Sequence, residues 1–198
     1  MAKQKAAAEK QQAADEKTLT AFFAKKNISP VKTPSGLYYL ITQEGTGEIP
    51  PNGDTLTVNY SGTLLDGTKF DSNEDTAFQH ATPYQFVLGT GGVISGWHVG
   101  FALLKVGTKA TLYIPSGMAY GTQSRPGSAA NPKGIPANSI LVFDVQLVKT
   151  SHAIAPVIIA PIIDSLINKK DSLLKKRDLL MKKDSLLNII PKELKRED

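Results

Sequence analysis

The chain has no cysteine, three histidines, three methionines and a single tryptophan in 198 residues. Without cysteine there is no disulfide scaffold, no thiol nucleophile and no thiolate-ligated zinc. His80, His98 and His152 lack the spacing of helical metal ligands. Each is expected to be an ordinary surface side chain, and no metal or cofactor is expected. Long apolar runs are also missing. The longest, residues 153–163, is interrupted by Pro156 and Pro161 and falls short of the roughly 20 residues that a spanning helix needs. No apolar stretch follows the first lysines, so the start is not expected to act as a secretory signal. The expected location is the cytosol, or the periplasm or cell envelope if an export signal has been cut away.

What is present is unevenly distributed. All 16 glycines lie between Gly36 and Gly134, and 12 of the 14 aromatics lie between Tyr38 and Phe143. This confines turn-rich, strand-rich sequence to the middle of the chain. Three segments are expected: a helical N-terminal segment with a linker over 1–35, a folded domain over 36–149 and an amphipathic helical extension over 150–198. Their net charges are +4, −2 and +3. The basic excess therefore belongs to the ends, and a mildly acidic folded domain argues against nucleic-acid binding.

Residues 2–24 are rich in Ala, Lys, Gln and Glu, which favour helix. Only Leu19, Phe22 and Phe23 give that helix an apolar face. The first 14 residues are expected to fray, and Pro30 and Pro34 to end the helix and begin an extended linker. In the middle, alternation marks strands at Leu37-Tyr39-Ile41 and Leu56-Val58-Tyr60. Similar β character marks 84–88, 109–114 and 140–148, with Asp66-Gly67 as a hairpin turn. One helix is expected over 96–104, with Trp97, Phe101 and Leu104 on one face. The fold class is therefore α+β: a twisted antiparallel sheet around one short helix, with N- and C-terminal helical extensions. Residues 121–138 read as a surface loop near a site. Beyond Pro161, Leu166, Leu173, Leu180, Leu187 and Leu194 recur every seven residues, but the alternate seam positions are Lys170, Arg177 and Asp184. That half seam suits a helix lying on its own domain or in solvent, self-association, or a membrane surface.

Standard catalytic motifs fail. Gly89-Thr90-Gly91-Gly92 lacks both the dinucleotide fingerprint and the lysine of a phosphate loop. Ser95-Gly96 and Ser116-Gly117 lack the context of a nucleophile elbow. Asp66, Asp71, Glu74 and Asp75 read as a solvated loop. What remains is a surplus of aromatic side chains near glycines and strand ends: Tyr60, Phe70, Tyr84, Phe86, Trp97, Tyr120 and Phe143.

Their order is informative. Val58-Asn59-Tyr60-Ser61-Gly62, Leu65-Asp66-Gly67-Thr68-Lys69-Phe70-Asp71-Ser72, Phe86-Val87-Leu88-Gly89, Val93-Ile94-Ser95-Gly96-Trp97, Ala119-Tyr120-Gly121, Ile135-Pro136 and Leu141-Val142-Phe143-Asp144-Val145 occur in sequence. This set resembles the FKBP-type peptidyl-prolyl cis-trans isomerases, over the middle domain only. The resemblance implies a proline pocket with Trp97 as its floor. Tyr60, Phe70, Tyr84, Phe86, Val93, Ile94, Ile135 and Phe143 would line it. Tyr120 would offer its hydroxyl to a substrate carbonyl, and Asp71 would orient from just outside. It also implies proline-containing polypeptides as substrates, the family's macrolide inhibitors as ligands, and no cofactor. Three departures stand out. Tyr84 replaces a usual phenylalanine. Asp71 is followed by Asn73, Glu74 and Asp75, with nothing basic before His80. The loop from Tyr120 to Ile135 carries Ser128, Ala129, Ala130, Asn131, Pro132 and Lys133 as an insertion. The rival expectation is a chaperone or scaffold that binds unfolded or proline-containing chains without catalysis.

Overall fold

The computed structural model describes residues 2–152 and 156–187. The chain divides into two compact units, Met1–Ala153 and Ile154–Asp198.

In the first unit, α1 (Ala2–Lys26) precedes β1 (Val31–Lys32), β2 (Tyr38–Gln43), β3 (Thr55–Leu64), β4 (Lys69–Ser72) and β5 (Tyr84–Val87). Then follow α2 (Ser95–Phe101), β6 (Lys109–Ile114) and β7 (Leu141–Ser151). The strands form one antiparallel sheet in the order β1-β2-β6-β7-β3-β4, with β5 also paired to β3. The α+β expectation holds. A register shift between Thr57 and Val58 marks an irregularity in the long β3–β7 ladder, the kind of bulge that increases local twist.

The main core lies between the sheet and α2. Leu56 and Val58 of β3, Leu112 and Ile114 of β6, and Leu141, Val145 and Leu147 of β7 pack with Trp97, Phe101 and Leu104. The helix ends at Phe101, three residues earlier than the periodicity suggests, but all three expected side chains are buried. Gly96 and Gly100 make the close seating possible. A Cβ at Gly96 would come 2.4 Å from Ile114 Cγ2, and one at Gly100 would come 2.6 Å from Leu112 Cδ1.

The opposite face of the sheet is covered too. Leu19 and Phe23 of α1 pack with Tyr38, Tyr113 and Ile140. The Phe23 ring lies 5.1 Å from that of Tyr38 and 4.9 Å from that of Tyr113. Because strand side chains alternate, Tyr38 and Tyr113 point away from the core that Tyr39 and Leu112 enter. Two expectations need correction here. The N-terminal helix runs unbroken from Ala2 rather than fraying over its first half. It ends at Asn27, whose φ of +52° is the left-handed conformation common after a helix. The expected linker instead forms β1, which pairs with β2.

In the second unit, α3 (Pro156–Leu187) is a single 32-residue helix. Leu173, Leu174, Leu179, Leu180 and Met181 are exposed on it. Leu194 and the side chains of Leu166 and Leu187 lie outside the described residues. No described helix is long and apolar enough to cross a membrane.

Candidate functional site

A cavity of about 760 Å³ opens over the N-terminal end of α2. Tyr60, Phe70, Asp71, Tyr84, Val93, Ile94, Trp97, Tyr120, Ile135 and Phe143 all line it. These residues come from β3, β4, β5, the approach to α2, α2 itself, two loops and β7. The antiparallel ladder gathers several of them: Gly62 pairs with both Asp71 and Phe143, and Val58 pairs with Tyr84.

Trp97 is 5% exposed and has other rings set around it. Tyr60 lies 5.1 Å away and Phe143 lies 5.3 Å away, both edge-on to the indole. Tyr84, at 6.0 Å, is exposed toward the mouth. Phe70 packs edge-on against Phe143 at 5.4 Å. Among the described residues, the indole Nε1 is the one buried side-chain polar atom without a hydrogen-bond partner. Leaving a buried donor unpaired costs about 1–3 kcal/mol, so stability alone does not select this side chain. Phe86 corrects the sequence reading. It is buried against Trp97 at 5.6 Å and Phe101 at 5.4 Å, and it supports the floor without lining the cavity.

The polar side of the cavity centres on Asp71. Tyr60 donates its hydroxyl to Asp71 Oδ2 at 2.8 Å, and His80 Nε2 lies 2.9 Å from Oδ1. The missing basic neighbour is thus supplied by His80, which lines the cavity and is no ordinary surface histidine. The other two histidines are engaged as well. His98 Nδ1 accepts from the Gly89 amide, and His152 Nδ1 lies 2.8 Å from buried Asp54. Burial, reinforced by the bond to Asp71, drives the Tyr60 phenol well above its ordinary range. Burial also raises Tyr120, against the opposing pull of Arg125. The Arg125 guanidinium sits 4.4 Å from the Tyr120 ring centroid, a cation–π distance.

Three features escaped the sequence reading. Asn73 is buried; its side chain accepts from the Tyr60 amide and donates to the carbonyls of Val58 and Thr82. It ties the segment carrying Asp71 to the strand carrying Tyr60. Asp75 pairs with Lys69 at 2.8 Å and caps the turn at Thr76–Phe78, so the acidic loop is organised as well as solvated. The inserted loop is held by a backbone bridge between Arg125 and Ile135, which places Ser128, Ala129 and Ala130 on the cavity wall.

A sheet wrapped on one short helix, with an indole-floored cavity at that helix, defines a class that sequence comparison identifies independently. Residues 46–148 match the FKBP-type peptidyl-prolyl cis-trans isomerase family, and the chain belongs to it. Among relatives, FkpA of Escherichia coli strain K12 is 44% identical over 124 residues, covering 62% of this chain and 41% of the relative. FK506-binding protein 1 of Saccharomyces cerevisiae is 47% identical over 102 residues, covering 52% of this chain and 81% of the relative. The crystal structure of E. coli FkpA superimposes with a TM-score of 0.56 at 37% identity, covering 75% of this chain and 65% of that one. The match thus spans less than half of FkpA's length.

Proposed function

We propose that the chain catalyses cis-trans isomerisation of X-Pro peptide bonds, with Trp97 as the floor of the proline site. The observation that carries this reading is the aromatic-lined cavity, closed below by a buried indole and lined also by Tyr120 and Asp71. Rotating a peptide bond costs about 18–20 kcal/mol because amide resonance is lost. The two X-Pro isomers differ little in energy yet exchange over roughly tens to hundreds of seconds. The planar amide carries more charge separation than the twisted one. An apolar cavity therefore destabilises the planar form relative to the transition state, which is differential binding.

In this reading Tyr60, Phe70, Tyr84, Val93, Ile94, Ile135 and Phe143 hold the proline ring. Tyr120 holds the substrate carbonyl in place by a hydrogen bond while the far side of the amide turns, and Asp71 orients from the rim. The reaction as proposed draws on no group beyond these side chains. The rival, a binder without catalysis, is not favoured: the matched relatives carry the isomerase name. Because a relative is named for binding FK506, we extend macrolide binding at this cavity to the chain. A second copy is the proposed partner of α3, where Leu173 and Leu180 are exposed one heptad apart. Sedimentation of the full chain with both leucines changed to Gln tests that pairing.

The test of the main reading is exchange of a short Leu-Pro peptide followed by NMR. The intact chain should accelerate exchange at least a hundredfold, Tyr120→Phe should lose about tenfold of that, and Trp97→Ala should lose more. Circular dichroism must show that each variant is folded, since Trp97→Ala opens a cavity. Exchange at the uncatalysed rate with folded intact protein would reject the enzyme.

A further inference from the structure

Tyr120 lines the cavity, but the turn that presents it is fastened from the other face of the sheet. That turn is the single 3-10 turn Ser116–Met118 and the two residues after it. The Ser116 carbonyl accepts from the amides of Ala119, at 3.0 Å, and Gly121, at 2.8 Å, which bracket Tyr120. Ser116 is itself wholly buried, and its two donors both go to one carboxylate. Asp15 Oδ2 accepts from the Ser116 amide at 2.8 Å and from its hydroxyl at 2.6 Å. Asp15 Oδ1 accepts from Gln11 Nε2 at 2.8 Å, and Asp15 is 3% exposed.

A buried carboxylate is costly unless its lone pairs are used, and here three donors use them. Asp15 lies one helical turn before Leu19, on the stretch of α1 that faces the sheet. Leu19 and Phe23 supply the apolar contacts of α1 with the sheet, whereas an apolar side chain at position 15 would leave the two buried Ser116 donors unpaired. The carboxylate instead fixes Ser116 in space. The same turn is held from α2, where the Ser95 hydroxyl donates to the Met118 carbonyl at 3.1 Å. The segment bearing Tyr120 is thus tied to α1 on one side and to the helix of Trp97 on the other.

We propose that Asp15 is a positioning residue for Tyr120, and that α1, which lies outside the family-matched residues 46–148, is part of the isomerase scaffold. The proposal rests on the catalytic reading above for its kinetic arm only. The test uses the full chain with Asp15→Ala and Asp15→Asn, each alone and combined with Tyr120→Phe. If Asp15 acts through Tyr120, Asp15→Ala lowers kcat/KM for the Leu-Pro peptide about five- to tenfold, yet at most about twofold when Tyr120 is already Phe. Asp15→Asn keeps one acceptor oxygen and recovers part of the loss. Independently, backbone amide exchange at Ala119 and Gly121 quickens about tenfold or more in Asp15→Ala, while Leu112 and Val145 in the central ladder stay protected. Equal losses in both backgrounds, or unchanged exchange at Ala119 and Gly121, overturn the proposal. If the intact chain proves inactive, the enzyme reading fails and the exchange experiment alone decides the linkage.

Discussion

Gly62 sits in the middle of β3, directly beneath two rings of the cavity wall. A Cβ there would lie 2.7 Å from Phe70 Cε2 and Cζ and 2.8 Å from Phe143 Cε1. Carbon atoms pack comfortably at about 3.5–4.0 Å, so Gly62→Ala forces about 1 Å of ring movement. Phe143 is buried and already touches Trp97, Tyr60 and Phe70. Phe70 is only half-buried, and it moves into the cavity. Overpacking costs about 1–3 kcal/mol, against roughly 0.5–1 kcal/mol recovered by removing a glycine from a strand. The net loss, about 0–2.5 kcal/mol and centred near 1 kcal/mol, corresponds at its centre to a fall in Tm of about 2–4 °C for a domain of this size. The displaced ring should also lower kcat/KM for a Leu-Pro peptide about tenfold, through about 1.4 kcal/mol of lost transition-state binding. Differential scanning calorimetry and peptide exchange at 10 °C, where the variant stays folded, separate the two effects. A Gly62→Ala protein with unchanged Tm and unchanged kcat/KM would refute the packing argument.

Other perturbations have equally definite outcomes. Leu19→Ala removes a fully buried side chain from the α1 contact and should cost about 2–4 kcal/mol in urea unfolding; a loss under about 0.5 kcal/mol would show that α1 is not packed as described. His80→Ala should leave stability within about 1 kcal/mol, because the pair with Asp71 is largely solvated. It should still lower kcat/KM about two- to fivefold by freeing Asp71 Oδ1, and an unchanged rate would remove His80 from the site. The phenols of Tyr60, Tyr113 and Tyr120 are all raised by burial. Their contribution to stability is therefore complete below pH about 10 and declines above it, as the unfolded chain releases protons that the fold retains. Phenolate absorbance should show a late-titrating group, with urea midpoints falling between pH 9.5 and 11. Simultaneous titration of all six tyrosines near pH 10 would contradict this.

The parts of the fold that were legible in sequence are those with one buried face. Trp97, Phe101 and Leu104 announce α2 because a helix against a sheet repeats its apolar contacts at helical spacing. Strand alternation fails at Tyr38-Tyr39 and Leu112-Tyr113, where both neighbours pack into a core because α1 covers the far side of the sheet. Phe86 shows a different limit. Tyr84 and Phe86 are two apart on β5, share a face and stack at 6.5 Å, and both approach Trp97. Spacing places the pair, but only the position of the floor decides that Tyr84 reaches the mouth and Phe86 stays beneath. The contact between Asp71 and His80 is set by how the intervening loop folds back, a matter on which periodicity is silent.

Asp15 is the sharpest case. Hydropathy assigns a carboxylate to solvent, and residues 1–14 offer no apolar stripe to suggest that Asp15 is buried. Its burial depends on partners about a hundred residues away, at Ser116, and on the depth to which Leu19 and Phe23 draw α1 onto the sheet. Family motifs carry the cavity itself, because in the proposed reading the rings meet the proline directly. They carry nothing about the groups that hold those rings from behind, since many different scaffolds can supply a fixed turn. The physical unit of function therefore extends beyond the matched motif wherever a buried hydrogen bond crosses its edge, and in this chain the Asp15–Ser116 contact crosses it.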